Sequence, residues 1–330
     1  MPLSTRPFGR TGHTPSAIGF GAWAIGGTWG EVTDTEAKDA LNAALDAGMT
    51  FIDTADVYGD GRSERRIAEV LKSRPGPHPF IATKAGRRSN PHTAESYTEA
   101  NLAAFIDRSR ANLQMDTLDL VQLHCPPTEV YGDPRVHDAL NNLKAKGVIA
   151  NYGVSVETID EAMTAIKFPG VTSVQIIYNL FRQRPADAFF AAAKAANVAV
   201  IARVPLASGL LTGKMSATSQ FAADDHRSFN RNGEAFDKGE TFSGVPFDVA
   251  LQAVEELRPL VPPGTPMSAF ALRWILMADA ISVVIPGAKS AVQASANAAA
   301  DALPPIPEAT MAKAREIYLR LIAPHVAHLW

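Results

Sequence analysis

The chain has 330 residues, of which 46% are hydrophobic, and its formal net charge is -3. This length and composition favour one large globular domain or two ordinary ones, and the evenly spread charges exclude the clustered basic face of a nucleic-acid-binding protein. One cysteine, Cys125, excludes a disulfide framework and fits a reducing compartment. Neither a signal peptide nor a membrane span is evident, so we expect a cytoplasmic protein with no membrane partner.

Short apolar runs alternate with helix-like runs along most of the chain. The N-terminal segment 7–20 has the pattern of a hairpin. Strands are predicted, in chain order, over 16–20, 50–53, 79–84, 118–124, 151–156, 173–179, 198–204 and 282–287. The predicted helices include 35–48, 63–73, 98–113 and 133–147. Gly48 and Gly147 stand where helices commonly end.

Eight short strands, each followed by a helix, in roughly 300 residues predict an α/β fold of the (β/α)8 TIM barrel type. A doubly wound sheet with a second domain is the alternative. No proline-rich or polar linker divides the chain, so we expect a single domain over 1–330. The long irregular stretch 207–245, after the seventh strand, is expected to be functional or mobile.

Four polar residues are predicted to meet at one rim of this barrel. Asp53 ends the second strand, Lys84 the third and His124 the fourth, while Tyr58 lies in the loop after the second strand. Active sites of such barrels form at the carboxyl ends of the strands. We therefore expect Asp53, Tyr58, Lys84 and His124 to form a catalytic group.

An acid, a phenol, an amine and an imidazole together suit proton transfer to an oxygen on carbon. The ordinary pKa of a phenol is about 10, and we expect the Lys84 ammonium to lower the pKa of Tyr58. Asp53 is expected to hold Lys84 and keep it charged, and His124 to orient a substrate oxygen. The group has no evident nucleophile and no cluster of acids for a metal. Carbonyl reduction fits it, if a hydride donor is bound alongside.

These residues and their surroundings resemble the aldo-keto reductase family over nearly the whole chain. The four residues match the family's catalytic tetrad in type, order and location. Five segments also match it: FIDTADVYGDGRSE, LDLVQLHCPP, GVSV, PLASGLLTGK and IPGAKSAVQASAN. The resemblance implies reversible NADPH-dependent reduction of aldehydes or ketones, without a Rossmann fold. The 207–245 stretch looks most like a bacterial branch acting on small or sugar-like aldehydes.

The resemblance also implies which residues bind the cofactor and the small carbonyl or alcohol substrate. Ser155 and Gln175 would bind the nicotinamide carboxamide, and Lys289, Ser290 and Gln293 the 2′-phosphate. The cofactor set as a whole is Gly21, Ala22, Trp23, Ser155, Gln175, Arg203, Pro205, Leu206, Ser208, Gly209, Leu211, Gly213, Lys214, Arg227, Gly287, Lys289, Ser290, Gln293 and Asn297. Trp23 and Trp29 would wall the substrate pocket.

Arg203 stands where many members of the family stack an aromatic ring on the nicotinamide. A planar guanidinium can stack in the same way, so we expect Arg203 to lie against the ring. The alternative is that Arg203 turns away and pairs with a carboxylate.

Two other functions remain open from the sequence. One is a barrel lyase that uses Lys84 as a Schiff base, which needs a depressed lysine pKa. The other is a cofactor-bound sensor or regulatory subunit. The sequence names neither the physiological substrate nor the oligomeric state.

Overall fold

The computed structural model describes residues 2–27 and 29–330. Within them, eight parallel strands form one sheet in sequence order. The strands are β1 Phe20–Gly21, β2 Phe51–Asp53, β3 Phe80–Ala85, β4 Leu118–His124, β5 Ile149–Ser155, β6 Val171–Ile177, β7 Ala199–Arg203 and β8 Ile281–Val284. Parallel bridges join Ile18 to Val284 and Gly21 to Gly287, so the last strand meets the first. The predicted (β/α)8 barrel is confirmed.

Helices surround this sheet. The α-helices are α1 Asp34–Asp46, α2 Arg62–Lys72, α3 Glu99–Leu113, α4 Pro134–Ala145, α5 Ile159–Ala165, α6 Phe189–Ala195, α7 His226–Phe229, α8 Phe247–Leu257, α9 Met267–Leu276, α10 Ala291–Ala299, α11 Glu308–Ile317 and α12 Ala323–Val326. α1 packs against α10, which continues the helical layer across the junction of β1 and β8. Within 2–27 and 29–330, every helix is too short or too polar to span a lipid bilayer.

The predicted boundaries agree best for the central strands. β4 spans the predicted residues 118–124, whereas β1 is much shorter than the predicted 16–20. The reason is that Ser16 pairs antiparallel with Thr5, so this part of the chain belongs to the N-terminal hairpin. Gly48 and Gly147 follow α1 and α4 with φ of 91° and 75°, a left-handed conformation that ends a helix.

The interior of the barrel is divided into an apolar layer and a polar layer. Phe8, from the N-terminal hairpin, packs on Phe51 and Phe80 with ring centroids 5.3 Å away in both cases. Because side chains alternate along a strand, Asp53 and Lys84 face the same side as Phe51 and Phe80. The fold thus places the polar residues above an apolar floor, at the carboxyl ends of the strands.

The long connection after β7 is a chain of short helical turns rather than a featureless loop. Between 207 and 245 these turns are Ala207–Thr212, α7, Lys238–Glu240 and Phe242–Gly244. Phe242 is buried and belongs to the outer core of the barrel. The connection is therefore packed onto the carboxyl-terminal face, where the polar layer lies.

Candidate active site

Three of the four predicted catalytic residues come directly from neighbouring strands. Asp53 ends β2, Lys84 is the penultimate residue of β3 and His124 ends β4. All three are buried, with relative exposures of 3%, 1% and 4%. The parallel register brings these strand ends to one rim, because β2 pairs with β3 and β3 with β4.

Tyr58 is brought to the same place by two loops that approach closely. A Cβ atom on Gly59, whose φ is +60°, would lie 1.9 Å from the carbonyl oxygen of Gly26. A Cβ on Gly26 would lie 2.7 Å from the Cβ of Tyr58. Only glycine fits at these positions. The indole of Trp23 stacks on the Tyr58 ring, with centroids 6.0 Å apart, so the phenol is held rather than exposed on a loop tip.

Lys84 joins the acid to the phenol. Its Nζ donates to Asp53 Oδ1 at 2.5 Å, to the carbonyl oxygen of Thr54 at 2.9 Å and to Tyr58 Oη at 3.3 Å. The second oxygen of Asp53 accepts hydrogen bonds from Gln175 at 2.7 Å and Gln122 at 3.3 Å. Gln175, which the family resemblance assigns to the cofactor, therefore also orients Asp53.

The shift in the pKa of Tyr58 is opposite to our expectation. Burial raises the pKa of Tyr58 and is the largest cause of the shift. Lys84 lowers this pKa, but by less than burial raises it, and Asp53 and Glu240 raise it further. Burial would lower the pKa of Lys84, but Asp53 and Tyr58 outweigh burial and the net pKa is raised. The expected influence of Lys84 is present, but desolvation of the phenolate exceeds it. Tyr58 is consequently a protonated phenol and Lys84 a charged ammonium at neutral pH.

His124 is neutral. Burial, followed by the charges of Arg87 and Lys84, holds the pKa of His124 well below its ordinary value. Arg87 Nη1 lies 3.3 Å from His124 Nε2, and a guanidinium can only donate to it. Arg87 and His124 together form one polar wall beside Tyr58, whose ring meets the His124 ring edge-on at 5.9 Å between centroids.

A cavity of about 460 Å³ opens from this group across the carboxyl-terminal face. Three of the tetrad residues line it, namely Asp53, Tyr58 and His124, while Lys84 lies beneath them. Many of the predicted cofactor and pocket residues also line it: Gly21, Trp23, Trp29, Ser155, Gln175, Arg203, Pro205, Leu206, Ser208, Gly209, Lys214, Arg227, Gly287, Lys289, Gln293 and Asn297.

Four predicted cofactor residues are not among the described residues that line this cavity. Ala22 and Leu211 are fully buried in the apolar core. Gly213 ends a helical turn with φ of 68°, next to Lys214. Ser290 caps α10, where its side chain accepts a hydrogen bond from the amide of Gln293. The assignment of these four residues to the cofactor stays a prediction.

Three cations that line the cavity could receive an anion. They are Lys214, Lys289 and Arg227. Among the described residues neither lysine has a carboxylate within ion-pair distance, whereas Arg227 pairs with Asp225 at 2.6 Å. The N-terminus of α10 begins beside Lys289, where unpaired backbone N–H groups favour negative charge. A phosphorylated cofactor fits these donors.

The backbone that lines the middle of the cavity is strained. Val204, Ala207 and Ser208 have φ between 46° and 54°, and Gly209 has φ of 96°. Non-glycine residues rarely adopt this region, and such strain concentrates at binding and catalytic sites. The turn places Pro205, Leu206, Ser208 and Gly209 along the cavity wall.

Sequence reasoning missed two charged residues beside His124. Arg87 follows β3 in a stretch that reads as an ordinary charged loop, and Glu240 lies in the long connection after β7. Glu240 Oε1 is 3.3 Å from Arg87 Nη2 and 3.6 Å from Arg203 Nη1. No spacing in the sequence signals this contact, because it depends on how the long connection packs.

Arg203 was expected either to lie against the nicotinamide or to turn away and pair with a carboxylate, and it has features of both. Its Nη2 donates to the carbonyl oxygen of Val156 at 2.9 Å, and it lies within ion-pair distance of Glu240. It also lines the cavity beside Ser155 and Gln175. Its guanidinium is thus paired with a carboxylate and still faces the place where the resemblance puts the nicotinamide.

Comparison with known proteins agrees with this architecture. The model of the aldo/keto reductase family matches residues 17–319. The aldo-keto reductase YhdN of Bacillus subtilis is 31% identical over 87% of this chain and 85% of its own. The aldo-keto reductase yakc [NADP(+)] of Schizosaccharomyces pombe is 27% identical over 88% of this chain and 84% of its own.

Solved structures give the same result. The glycerol dehydrogenase AKR11B4 from Gluconobacter oxydans superposes with a TM-score of 0.78 and 27% identity, over 99% of this chain and 97% of its own. The fold and the tetrad geometry define a barrel oxidoreductase. The family match over most of the chain is more specific: this protein belongs to the aldo/keto reductase family.

Proposed function

We propose that this protein reduces aldehydes or ketones to alcohols, reversibly, with NADPH as the hydride donor and Tyr58 as the proton donor. The observation that carries this proposal is the contact of Lys84 Nζ with Tyr58 Oη at 3.3 Å, while Asp53 Oδ1 holds the same Nζ at 2.5 Å. A charged ammonium beside a phenol stabilises the phenolate that remains after the proton has left.

Each residue of the group has a separate task. Tyr58 gives its proton to the carbonyl oxygen, Lys84 stabilises the resulting phenolate, and Asp53 keeps Lys84 charged and in place. Neutral His124 fixes the position of the carbonyl oxygen by donating from Nε2, which requires the tautomer protonated at Nε2 and release of the contact that Arg87 makes with this atom in the structure. When bound, NADPH supplies the hydride. In the oxidative direction the Tyr58 phenolate accepts the proton of the alcohol.

NADPH is the cofactor that the cavity suits best. The two lysines that line the cavity, Lys214 and Lys289, match a dinucleotide with an additional phosphate. The printed name of the relative yakc specifies NADP(+), which supports the same choice. Ser155, Gln175 and Arg203 line the end near Tyr58, where the nicotinamide must lie for a hydride to reach the substrate carbon.

The substrates we propose are small carbonyl compounds that carry hydroxyl groups. Trp23 and Trp29 meet edge to face with ring centroids 5.5 Å apart and narrow the cavity beside Tyr58. Aromatic faces in the same cavity as charged donors and acceptors, such as Arg203 and Glu240, suit the apolar and hydroxyl-bearing faces of a polyol. The likeness to a glycerol dehydrogenase supports this class.

The contacts of Lys84 argue against a Schiff-base lyase. Such a lysine must lose its charge, but Asp53 and Tyr58 together raise the pKa of Lys84 above its ordinary value. Borohydride trapping of substrate on Lys84 would favour the lyase. A regulatory subunit that only senses the cofactor would bind NADPH without turning it over, so turnover distinguishes it from a reductase.

The experiment that tests this function is a screen of NADPH oxidation, followed by absorbance, over aldehydes, ketones, aldoses and glyceraldehyde. The same screen is run in reverse with alcohols and NADP+, since mass action decides the direction. We expect steady turnover with at least one class of small hydroxylated carbonyl compound. Tight binding of NADPH with no turnover in either direction would contradict the proposal and favour the regulatory subunit.

A further inference from the structure

Glu240 is a buried acid between the buried Arg203 and the half-buried Arg87. Its side chain and that of Arg203 are each 8% exposed, and Arg87 contacts the same oxygen, Glu240 Oε1. Burial alone would raise the pKa of Glu240, but Arg87 and Arg203 together lower it below its ordinary value. Glu240 therefore stays ionised, and it offsets part of the positive charge of the two arginines.

The two arginines flank the place proposed for the nicotinamide. Arg203 lines the cavity beside Ser155 and Gln175, and Arg87 touches His124 Nε2 at 3.3 Å. The oxidised nicotinamide ring carries a positive charge, whereas the reduced ring is neutral. Uncompensated guanidinium groups near the ring would disfavour the oxidised form alone. The charge of Glu240 offsets that effect.

Two contacts fix Glu240 at this position. Ser208 Oγ donates to the carbonyl oxygen of Glu240 at 3.0 Å, and the amide of Phe242 donates to the same Oγ at 3.0 Å. On the other side, Asp237 Oδ1 accepts from the amide of Gly239 at 2.7 Å. This bond caps the helical turn Lys238–Glu240, which carries Glu240.

Trp330 holds that turn against the barrel. Its Nε1 donates to Asp237 Oδ2 at 3.1 Å, so both oxygens of Asp237 are used. Its indole lies directly on the backbone of the turn region: a Cβ on Gly244 would be 2.4 Å from Trp330 Cη2. The guanidinium of Arg182 covers the indole, with Cζ 3.9 Å from the ring centroid. The indole is thus clamped between a cation and the segment that carries Glu240.

We propose that Glu240 sets the relative affinity of the site for NADP+ and NADPH, and that Trp330 is the residue that positions it. The inference rests on the proposed function for the identity of the cofactor. Glu240 makes no hydrogen bond with Tyr58 or Lys84, but its charge raises the pKa of Tyr58, so its effect on the cofactor is measured by binding rather than by turnover. With Glu240 in place, oxidised cofactor is tolerated and the reverse reaction is accessible.

The test is a measurement of the dissociation constants of NADP+ and NADPH by protein fluorescence. Glu240→Gln removes the charge and should weaken NADP+ relative to NADPH by roughly three- to tenfold. Glu240→Asp keeps the charge and should restore most of the ratio. Glu316→Gln is the matched control, because Glu316 pairs with Lys313 on the exposed face of α11 and should leave the ratio unchanged.

Trp330 is tested by a change that keeps an aromatic ring. Trp330→Phe loses the hydrogen bond to Asp237 and part of the indole surface against Gly244, and it should shift the ratio in the same direction by a smaller factor. Trp274→Phe is its control, since Trp274 Nε1 has no hydrogen-bond partner among the described residues. An unchanged ratio in Glu240→Gln would overturn the inference, and an unchanged ratio in Trp330→Phe would overturn the role of Trp330. Binding of neither cofactor by the unmodified protein would instead overturn the proposed function.

Discussion

Two charged clusters lie on the carboxyl-terminal face, and they are built differently. The first, which we call the strand cluster, consists of Asp53, Lys84 and Tyr58. It takes its charged groups from β2 and β3, and its ion pair is 2.5 Å long. The second, which we call the loop cluster, consists of Arg87, Glu240 and Arg203. It takes its acid from the connection after β7, and its ion pairs are 3.3 and 3.6 Å long.

This difference indicates a division of labour. Groups on adjacent strands are held by the sheet itself, so the strand cluster has the fixed geometry that proton transfer needs. Groups on a long connection depend on how that connection packs, here through Ser208 and Trp330. We therefore assign the chemistry to the strand cluster and the tuning of cofactor affinity to the loop cluster.

The largest expected effect belongs to the strand cluster. Tyr58→Phe removes the proton donor and should lower turnover by roughly 10²–10⁴-fold, with the affinity for NADPH nearly unchanged. Steady-state turnover and NADPH titration measure the two quantities. Tyr178→Phe, at a buried tyrosine packed against Trp274, is the control. Turnover near the unmodified level in Tyr58→Phe would break the assignment of chemistry to this cluster.

Lys84→Met should reduce turnover almost as much, and more so in the oxidative direction. Lys84 lowers the pKa of Tyr58 against the larger effect of burial, so its removal raises that pKa further and makes the phenolate scarcer. The residual oxidation of alcohols should shift to higher pH in a pH–rate profile. A residual profile that stays where it was would contradict the role of Lys84.

The stability of Lys84→Met needs its own control. The substitution leaves Asp53 as a buried charge without a cation, which costs roughly 3–5 kcal/mol in such cases. Adding Asp53→Asn should recover part of the melting temperature without recovering turnover. Recovery of turnover in the double variant would show that the loss had come from misfolding.

The third prediction concerns a region outside both clusters. Lys289 should contribute to the preference for NADPH over NADH, which we expect to be at least about tenfold. Lys289→Ala should remove most of that preference by weakening NADPH and leaving NADH unchanged, as measured by titration. Lys313→Ala, at an exposed lysine on α11, is the control. Equal affinities for NADPH and NADH in the unmodified protein would refute the assignment.

The smallest expected effect is a pH dependence of the affinity for NADP+ relative to NADPH, caused by an acid beside the loop cluster. Glu157 Oε1 is 3.8 Å from Arg87, and burial followed by Asp237 raises the pKa of Glu157 to about 7. Below that pH Glu157 is neutral, so the two positive charges of Arg87 and Arg203 face only the single negative charge of Glu240. As the pH rises through about 7, Glu157 ionises and NADP+ should bind about two- to fivefold more tightly relative to NADPH.

The measurement is the ratio of the two dissociation constants as a function of pH. Both cofactors carry the 2′-phosphate, so its titration changes both dissociation constants alike and leaves their ratio unchanged. His124 and His226 do not interfere, because the pKa of His124 lies well below its ordinary value and burial lowers that of His226 to about 4. Glu157→Gln should give a ratio that is independent of pH across this range. A ratio that still varies in this variant would assign the effect to another group.

The strand cluster could be predicted from the sequence because its geometry follows from periodicity. Side chains alternate in direction along β2 and β3, which fixes those that point inward, and the ends of parallel strands meet at one edge. Asp53, Lys84 and His124 therefore had to converge once the barrel was recognised. The last residue of β4 and the first part of α2 were located almost to the residue.

The loop cluster and the direction of the Tyr58 pKa shift could not be predicted in this way. Glu240 reaches Arg87 only because several short turns between 207 and 245 pack in one arrangement. The pKa of Tyr58 depends on how much water Trp23 and the loops exclude, which no local pattern specifies. Both quantities belong to tertiary packing between segments that are distant in the sequence.

The most direct test of the account is the fate of a label on the cofactor. NADPH deuterated at the transferable position of the nicotinamide is incubated in ordinary water with the protein and the best carbonyl substrate of the screen. The alcohol is then analysed by mass spectrometry. Direct hydride transfer from NADPH predicts one deuterium on the carbinol carbon of the product, and none in the product formed with unlabelled NADPH. An alcohol without deuterium on that carbon would contradict direct hydride transfer at this site.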